Sequence, residues 1–175
     1  MTEQQDIELC SNFSFLTTDT NMTPPASDAT VEDVKSDEHN PTETHKWENP
    51  WPGNTYIIRE PKSKLQVTLV GGLARMRPHL GDQGGYHWEC IYNKGWLGFR
   101  DPSSFVHLGY QCVGIVAEAK YHKSNEFFVT RGYPGGGHVL LVKYDHELRL
   151  INIEGDQLCL SMDDKYTVWE FIKVS

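Results

Sequence analysis

From Asn54 onward, apolar and polar residues alternate in short runs that are broken by Gly, Pro, Asn and Asp. A period of two is typical of β-strands with one buried face. No segment has the apolar stripe of an amphipathic helix, and the best candidate, residues 116–123, lacks apolar residues at i, i+3 and i+4. The pattern predicts twelve strands, at about residues 55–59, 65–70, 73–77, 87–92, 96–100, 105–109, 113–118, 126–131, 138–143, 147–152, 157–161 and 167–174.

The strands repeat with a period of about forty residues. The segment Arg59–Ser63 recurs 41 residues later as Arg100–Ser104, each time between two apolar strands. Trp88–Ile91 recurs as Trp169–Ile172, 81 residues later, which is close to twice that period. Glu126–Val129, which begins 38 residues after the first of these tryptophans, is expected to fill the middle position. Self-similarity at a fixed spacing is the signature of a repeat architecture.

Three sets of four strands predict an all-β fold, a single β-trefoil over residues 47–175. A β-sandwich and a lipocalin-like barrel are the alternatives, since both also use many short strands. The internal repeat favours the trefoil, in which one side of each strand fills a shared core. The expected core residues are Ile58, Leu69, Leu73, Trp88, Leu97, Phe99, Leu108, Val116, Phe128, Leu140, Val142, Leu150, Leu158, Leu160, Trp169 and Phe171.

Residues 1–46 are predicted to form an acidic disordered arm. This segment contains ten acidic residues and only two basic ones, Lys35 and Lys46, so it carries the whole net charge of −8. Few large apolar side chains are present to offset the entropy of ordering, apart from a small apolar segment at Ile7–Leu16. The boundary lies at Trp47–Gly53, whose two tryptophans are expected to cover one side of the domain.

Charge and cysteine content narrow the classes of partner and location. Residues 47–175 are neutral, which argues against nucleic acid, because phosphate binding needs a cluster of Lys and Arg. The N-terminus has no signal-peptide pattern and no stretch approaches 18 apolar residues, so no membrane partner is expected. The expected location is the cytoplasm, with nuclear entry left open. Cys90 and Cys159 alternate with polar neighbours and are expected to be buried and inert.

Five motifs in the strand region carry a resemblance to a known group of proteins. They are His87–Cys90, Gly95–Arg100, Phe127–Val129, Gly136–Val142 and Trp169–Val174. Over about residues 49–175 they resemble small, largely uncharacterised fungal proteins that are similar to fascin-like, actin-crosslinking β-trefoils. The resemblance implies a trefoil with a binding or scaffolding role and makes a cytoskeletal partner one of the candidates. Fascin joins several trefoils, so a single one would bind a filament but need a dimer to crosslink it.

Other trefoil families fit the sequence less well. Ricin-type lectins resemble one another through a Gln-x-Trp triplet, and no glutamine here is followed by x-Trp. The sequence therefore argues against a galactose-binding lectin of that type. Heparin-binding growth factors need a basic patch that a neutral domain lacks, and Kunitz-type inhibitors are secreted and closed by disulfides.

The sequence offers few candidate residues for catalysis or for metal and cofactor binding. No two of the eight histidines have the i, i+2 or i, i+4 spacing of metal ligands, so no metal and no cofactor are expected. The Gly132–Gly137 loop lacks the Lys-Ser/Thr of a phosphate-binding loop. The close acids Asp163-Asp164 and Asp145–Glu147 are expected in exposed turns, where general acid and base roles are not supported. No catalytic residue is identified.

Two functions remain open at this level. The first is a non-catalytic binding or scaffolding module whose ligand, a protein or a small molecule, lies on the loop-bearing face. The alternative is an enzyme or accessory protein of small-molecule, secondary metabolism. Its pocket would lie on the side that carries aromatic and histidine residues, and the candidate ligand-binding residues there are Trp96, His107, Tyr133 and His138.

Overall fold

A computed structural model describes residues 49–81, 84–112, 114–161, 163 and 165–174. The predicted arm and Trp47 lie outside this range, so the domain boundary stays a prediction. The strands are Thr55–Arg59 (β1), Gln66–Val70 (β2), Leu73–Arg77 (β3), His87–Asn93 (β4), Trp96–Arg100 (β5), His107–Gln111 (β6), Gly114–Ala119 (β7), Phe128–Gly132 (β8), His138–Tyr144 (β9), Glu147–Glu154 (β10), Gln157–Leu160 (β11) and Val168–Lys173 (β12). One 3-10 turn, Ser124–Glu126, lies between β7 and β8.

Six of the strands close into a barrel and the other six form three hairpins. Around the barrel, β1 pairs with β4, β4 with β5, β5 with β8, β8 with β9, β9 with β12, and β12 with β1. The hairpins are β2–β3, β6–β7 and β10–β11, and β3 also pairs with β7 and β11. All these pairings are antiparallel. This topology is a β-trefoil, and the prediction of an all-β trefoil is confirmed.

The register fixes which positions of the three repeats are equivalent. Tyr56 faces Trp88 in the first repeat, Leu97 faces Phe128 in the second, and His138 faces Trp169 in the third. The residue of the middle repeat that is equivalent to the two tryptophans is therefore Phe128. The expected alignment placed Glu126 at this position and was wrong by two residues. Glu126 lies in the 3-10 turn instead, where its carboxylate accepts a hydrogen bond of 2.9 Å from the Lys123 amide.

Most of the expected core residues are buried in one cluster. In β3 and β10, however, Leu73 and Leu150 are only half-buried. Ala74 and Met76 fill the core in β3, and Ile151 does so in β10. Both strands therefore bury the face opposite to the one expected. The sequence was ambiguous here, because each leucine lies next to a smaller or branched apolar residue that fits the core equally well. The confirmed core residues are Ile58, Trp88, Phe99, Leu108, Phe128, Leu140, Val142, Leu158, Trp169 and Phe171, with Leu69, Leu97 and Leu160 packed against them. Val116 is buried as well.

A cross-strand ion pair recurs in two of the three repeats. Arg59 Nε lies 2.6 Å from Glu170 Oε1, and Arg100 Nη2 lies 2.6 Å from Glu89 Oε2. Glu170 is only 1% exposed, whereas the side chain of Glu89 is 29% exposed. In the third repeat the corresponding pair is Leu141 and Val129. The fold therefore accepts either an ion pair or an apolar pair at this position.

The segment before β1 is attached to the domain by backbone hydrogen bonds rather than by packing of its tryptophan side chain. Gly53 N donates to Cys90 O and Cys90 N donates to Asn54 O, each at 2.8 Å. Trp51 as a whole residue is 71% exposed, so the expectation that its side chain covers the domain was wrong. Cys90 itself is buried, and burial together with the adjacent Glu89 raises the pKa of its thiol to about 12, as expected for an inert cysteine.

Candidate functional site

A largely polar cleft lies at the junction of the first and second repeats and encloses about 310 Å³. We call it the Asp101 cleft. Its walls are the β5–β6 turn on one side and the end of the β3–β4 loop with the start of β4 on the other. The lining residues are Leu69, Gly84, Gly85, His87, Asp101, Pro102, Ser103 and Ser104.

The β5–β6 turn is built around Asp101, which is buried. Its Oδ2 accepts hydrogen bonds from the amide of Ser104 at 2.7 Å and from the hydroxyl of the same serine at 2.6 Å. A carboxylate that bonds the backbone a few residues on is a common turn device. The turn closes through Phe105, at φ 60°, whose amide donates to Asp101 O. The sequence Asp-Pro-Ser-Ser thus holds one carboxylate and two hydroxyls at the cleft wall.

The same turn occurs in the first repeat, around Glu60. The amides of Lys62 and Ser63 donate to its two carboxylate oxygens at 3.0 and 2.5 Å, and Lys64 takes the positive φ of 61°. Burial raises the pKa of Glu60, but the hydrogen bonds from Ser63 and Lys62 outweigh that effect and leave it below its ordinary value. The repeated motif that the sequence showed is therefore first a structural turn.

Gly85 keeps the floor of the Asp101 cleft open. Leu69 N donates to Gly85 O at 2.7 Å, which brings the two backbones together. A Cβ at this glycine would lie 2.8 Å from Leu69 Cβ and 3.5 Å from Asp101 Oδ1. The first distance is too short for any side chain without movement of the strand. The absence of a side chain here leaves Asp101 Oδ1 beside open space.

A second cleft, the Arg59 cleft, encloses about 410 Å³ and is largely apolar. It lies between β1, the β1–β2 turn, the start of the β3–β4 loop and β12. A chain of ring contacts runs between the two clefts, from His79 through the buried Tyr86 to His87, with centroid distances of 5.1 and 4.4 Å. The residues that line the Arg59 cleft are Ile57, Arg59, Ser63, Lys64, Leu65, Gln66, Pro78, His79 and Ile172.

Two of the four candidate ligand-binding residues, Trp96 and His107, belong to one aromatic cluster. Trp96 stacks on Phe127 with centroids 5.5 Å apart, and Phe127 meets His122 edge-on at 4.9 Å. His122 in turn stacks on His107 at 6.0 Å. His107 is buried and its Nδ1 lies 3.0 Å from Ala119 O. These ring contacts pack the β6–β7 hairpin against the barrel.

The other two candidates, Tyr133 and His138, lie elsewhere. Tyr133 is at the surface, where Tyr166 donates a hydrogen bond of 3.2 Å to its hydroxyl. His138 is buried in the barrel, 5.6 Å from the ring of Phe171. None of the four candidates lines the Asp101 cleft or the Arg59 cleft. Their role in ligand binding therefore stays a prediction.

The pKa values of two histidines, the buried His138 and the half-buried His122, are shifted. Burial lowers the pKa of His138 below its ordinary value. Burial is also the main cause that lowers the pKa of His122, although hydrogen bonds with the carbonyls of Leu97 and Glu126 oppose it. The Nδ1 atoms of both histidines have no hydrogen-bond partner among the described residues. Burial therefore favours the neutral form of both rings.

The described part of the chain contains no cluster of metal-ligand residues and no helix that could span a membrane. No group of three or more His, Cys, Asp or Glu residues there is placed to hold a metal ion. No helix there is long and apolar enough to cross a bilayer.

The residues of the Asp101 cleft were missed by the sequence reasoning, although a signal for them existed. The Arg-Asp-Pro-Ser-Ser motif was recognised as a repeat, and a carboxylate followed by hydroxyl residues in a turn is a group that can face a ligand as well as the backbone. What the sequence did not show is that Gly85 and His87, from the preceding repeat, complete the wall.

No protein-family model matches the sequence, and a search of curated proteins finds no significant relative. The fold is similar to several solved structures. One is a ricin B-like lectin from Macrolepiota procera in complex with lactose, at TM-score 0.57 and 14% identity, covering 73% of this chain and 100% of the lectin. SeviL bound to asialo-GM1 saccharide gives TM-score 0.55 and 12% identity, covering 70% and 97%.

An endo-β-galactosidase from Clostridium perfringens gives TM-score 0.58 and 14% identity over 70% of this chain. The chain spans about a third of the length of that enzyme, 33%. At identities this low the likeness concerns the fold alone. The chain has the β-trefoil fold that is also found in ricin B-like lectins.

Proposed function

We propose that this domain is a carbohydrate-binding module and that the Asp101 cleft holds a sugar ring. The observation that carries the proposal is the set of polar groups around that cleft: one carboxylate, two serine hydroxyls and one imidazole face a volume of about 310 Å³. Sites for small molecules combine a concave shape of this size with a few well-placed polar groups.

The chemistry of these groups suits a ligand rich in hydroxyls. An ionised carboxylate accepts hydrogen bonds only, and a serine hydroxyl both donates and accepts. Asp101 Oδ2 is engaged by Ser104, while Oδ1 lies on the side of Gly85. We expect Oδ1 to accept from one sugar hydroxyl and Ser103 and His87 to bond a second, with Leu69 against an apolar face of the ring.

Catalysis is not part of the proposal. Glycoside hydrolysis ordinarily needs two carboxyl groups on opposite sides of the scissile bond. Asp101 is the single carboxylate among the described residues that line the cleft. Binding without cleavage is therefore the activity that the cleft supports.

The structural neighbours add support of a general kind. Two of them, matched over almost their whole length, were solved with lactose or with a saccharide. This chain has no Gln-x-Trp triplet, so we do not carry any ligand-binding residue over from them. The proposed site rests on the chain's own cleft.

The test is calorimetry of the full chain with lactose, galactose, glucose and N-acetylglucosamine. We expect at least one of them to bind, and we expect Asp101→Asn to weaken that binding about tenfold or more, because a hydrogen bond to a charged group is lost. Glu60→Gln is the matched control, since it alters the equivalent turn of the first repeat and Glu60 itself lines neither cleft. Binding that is equally strong in Asp101→Asn, or absent for all four sugars, would refute the proposal.

A second candidate, a fascin-like role in protein binding, is favoured by one specific observation. Large aromatic side chains are exposed on the domain at Trp51, Tyr92, Phe105 and Tyr121. Tyr, Trp and Phe are enriched in the buried parts of protein interfaces. Co-sedimentation with actin filaments tests this role, and crosslinking would in addition need a dimer. A fascin-like role would also require the protein to be in the cytoplasm, and imaging a fluorescent fusion tests that location.

A further inference from the structure

We propose that the Arg59 cleft is a second binding site, separate from the Asp101 cleft, and that it takes an amphipathic anion, a molecule with an apolar body and one carboxylate. The cleft combines an apolar wall with cationic side chains at its edge. No acidic residue is among the described residues that line it.

The apolar wall is continuous across three elements. Ile57 on β1 and Ile172 on β12 face each other across the strand pair, so their side chains lie side by side. Leu65 before β2 and Pro78 after β3 extend this surface. All four line a volume of about 410 Å³, which is in the range of pockets that hold small ligands.

The charge at the edge comes from Arg59 and Lys64. Both lie near the buried carboxylate of Glu170, at 2.6 and 3.9 Å. One carboxylate balances one of these two cations, which leaves a positive charge over at the cleft. Lys64 is the farther of the two and its side chain is 58% exposed, so it is available to an incoming anion.

The geometry of Arg59 differs from that of its counterpart Arg100 in the second repeat. Arg100 donates to Glu89 through both Nε and Nη2, at 3.1 and 2.6 Å. Arg59 donates to Glu170 through Nε alone among the described residues. The terminal N–H groups of its guanidinium are therefore left for a second acceptor, and a guanidinium binds a carboxylate well in that way.

The test uses decanoate as the probe, titrated into the full chain and followed by amide chemical shifts in NMR. Decanol and decyltrimethylammonium are titrated in parallel, because they share the apolar chain and differ in charge. We expect decanoate to bind more tightly than decanol and the ammonium compound to bind least. The affinity for decanoate should also fall as salt is added, since the contact is partly exposed.

Two pairs of variants assign the site. Lys64→Gln should weaken decanoate binding about fivefold, the size of one partly exposed charge contact, while Lys62→Gln on the same turn, outside the cleft, should leave it unchanged. Ile172→Thr should also weaken binding, and Ile91→Thr, at the equivalent position of the first repeat, should not.

The outcomes separate this proposal from the carbohydrate site. Asp101→Asn should leave the affinity for decanoate unchanged. A result that refutes one of the two proposed sites therefore does not decide whether the other exists. Equal affinity for decanoate and decanol, no effect of Lys64→Gln, or no binding of decanoate below its micellar concentration would each overturn the proposal.

Discussion

Trp88 and Trp169 occupy equivalent positions in the barrel, yet only one of their indole groups is hydrogen-bonded. Trp88 Nε1 donates to Val67 O at 2.9 Å, whereas Trp169 Nε1 has no acceptor among the described residues. Both side chains are fully buried. An unmade buried hydrogen bond costs free energy, so the two repeats are not equally optimised.

This asymmetry gives the first prediction. Trp88→Phe removes a donor and leaves the Val67 carbonyl unpaired, whereas Trp169→Phe removes an N–H that has no partner. Because both changes remove the same atoms, the free energy of unfolding should fall by about 1–2 kcal/mol more in Trp88→Phe than in Trp169→Phe. Urea unfolding of the two variants measures the difference. Equal losses would mean that the two indoles do not differ as described.

The second prediction concerns the buried carboxylate of Glu170. Arg59→Met leaves this charge without its closest partner and should lower the free energy of unfolding by about 3 kcal/mol. Arg100→Met should cost about 1 kcal/mol or less, because Glu89 is partly exposed. The double variant Arg59→Met with Glu170→Val imitates the apolar pair Leu141 and Val129, and it should recover most of the loss. A double variant as unstable as Arg59→Met would contradict this account.

The third prediction is a loss of stability in mild acid that depends on His138. Its pKa is lowered in the folded state, so above the ordinary value of 6.5 the ring is neutral in both states and contributes nothing to the pH dependence. As the pH falls below 6.5, the unfolded chain gains a proton that the folded chain does not, and stability decreases down to the folded pKa.

His138→Leu supplies the matched comparison, since Leu97 occupies the equivalent position of the second repeat. Melting temperatures of the variant should vary less between pH 7 and pH 5 than those of the natural chain, with His122 accounting for part of the remaining variation. An unchanged pH profile would show that His138 titrates in the folded protein as it does in water.

The fourth prediction concerns residues 1–46. Their composition offers little apolar surface to the domain, so deletion of residues 1–45 should shift the melting temperature by no more than a few degrees, the equivalent of about 1 kcal/mol. Calorimetry of the full and shortened chains measures the shift. A decrease of about ten degrees would show that the apolar segment Ile7–Leu16 contributes to the folded domain.

Much of the fold could be predicted because strand alternation and the 41-residue repeat are local properties of the sequence. Every strand was located to within about two residues. The largest shifts in a strand start are of two residues, at β6 and at β8. At β6 the cause is local: Phe105 adopts a positive φ and is exposed in the turn, although an aromatic residue next to valine resembles the start of a strand. In the middle repeat, the adjacent Phe127 and Phe128 made the inward position ambiguous.

The candidate site could not be predicted in the same way. Leu69, Gly85 and Asp101 come from two repeats, and only the closed barrel brings them together. The histidines and aromatic residues that attracted notice in the sequence are mostly used in packing, as His107 and His122 show. Sequence periodicity identified the buried face of most strands, but it does not identify where two repeats leave a gap between them.

The most direct test of the account is a map of the sugar-binding surface. The full chain, labelled with nitrogen-15, is titrated with lactose, galactose, glucose and N-acetylglucosamine while amide chemical shifts are recorded. The account predicts that at least one sugar shifts the amides of Gly84, Gly85, Ser103 and Ser104 most. It also predicts that Asp101→Asn raises the sugar concentration needed for these shifts about tenfold or more, while Glu60→Gln leaves it unchanged. Shifts centred on Tyr133 and Tyr166, or no shifts with any of the four sugars at millimolar concentrations, would contradict it.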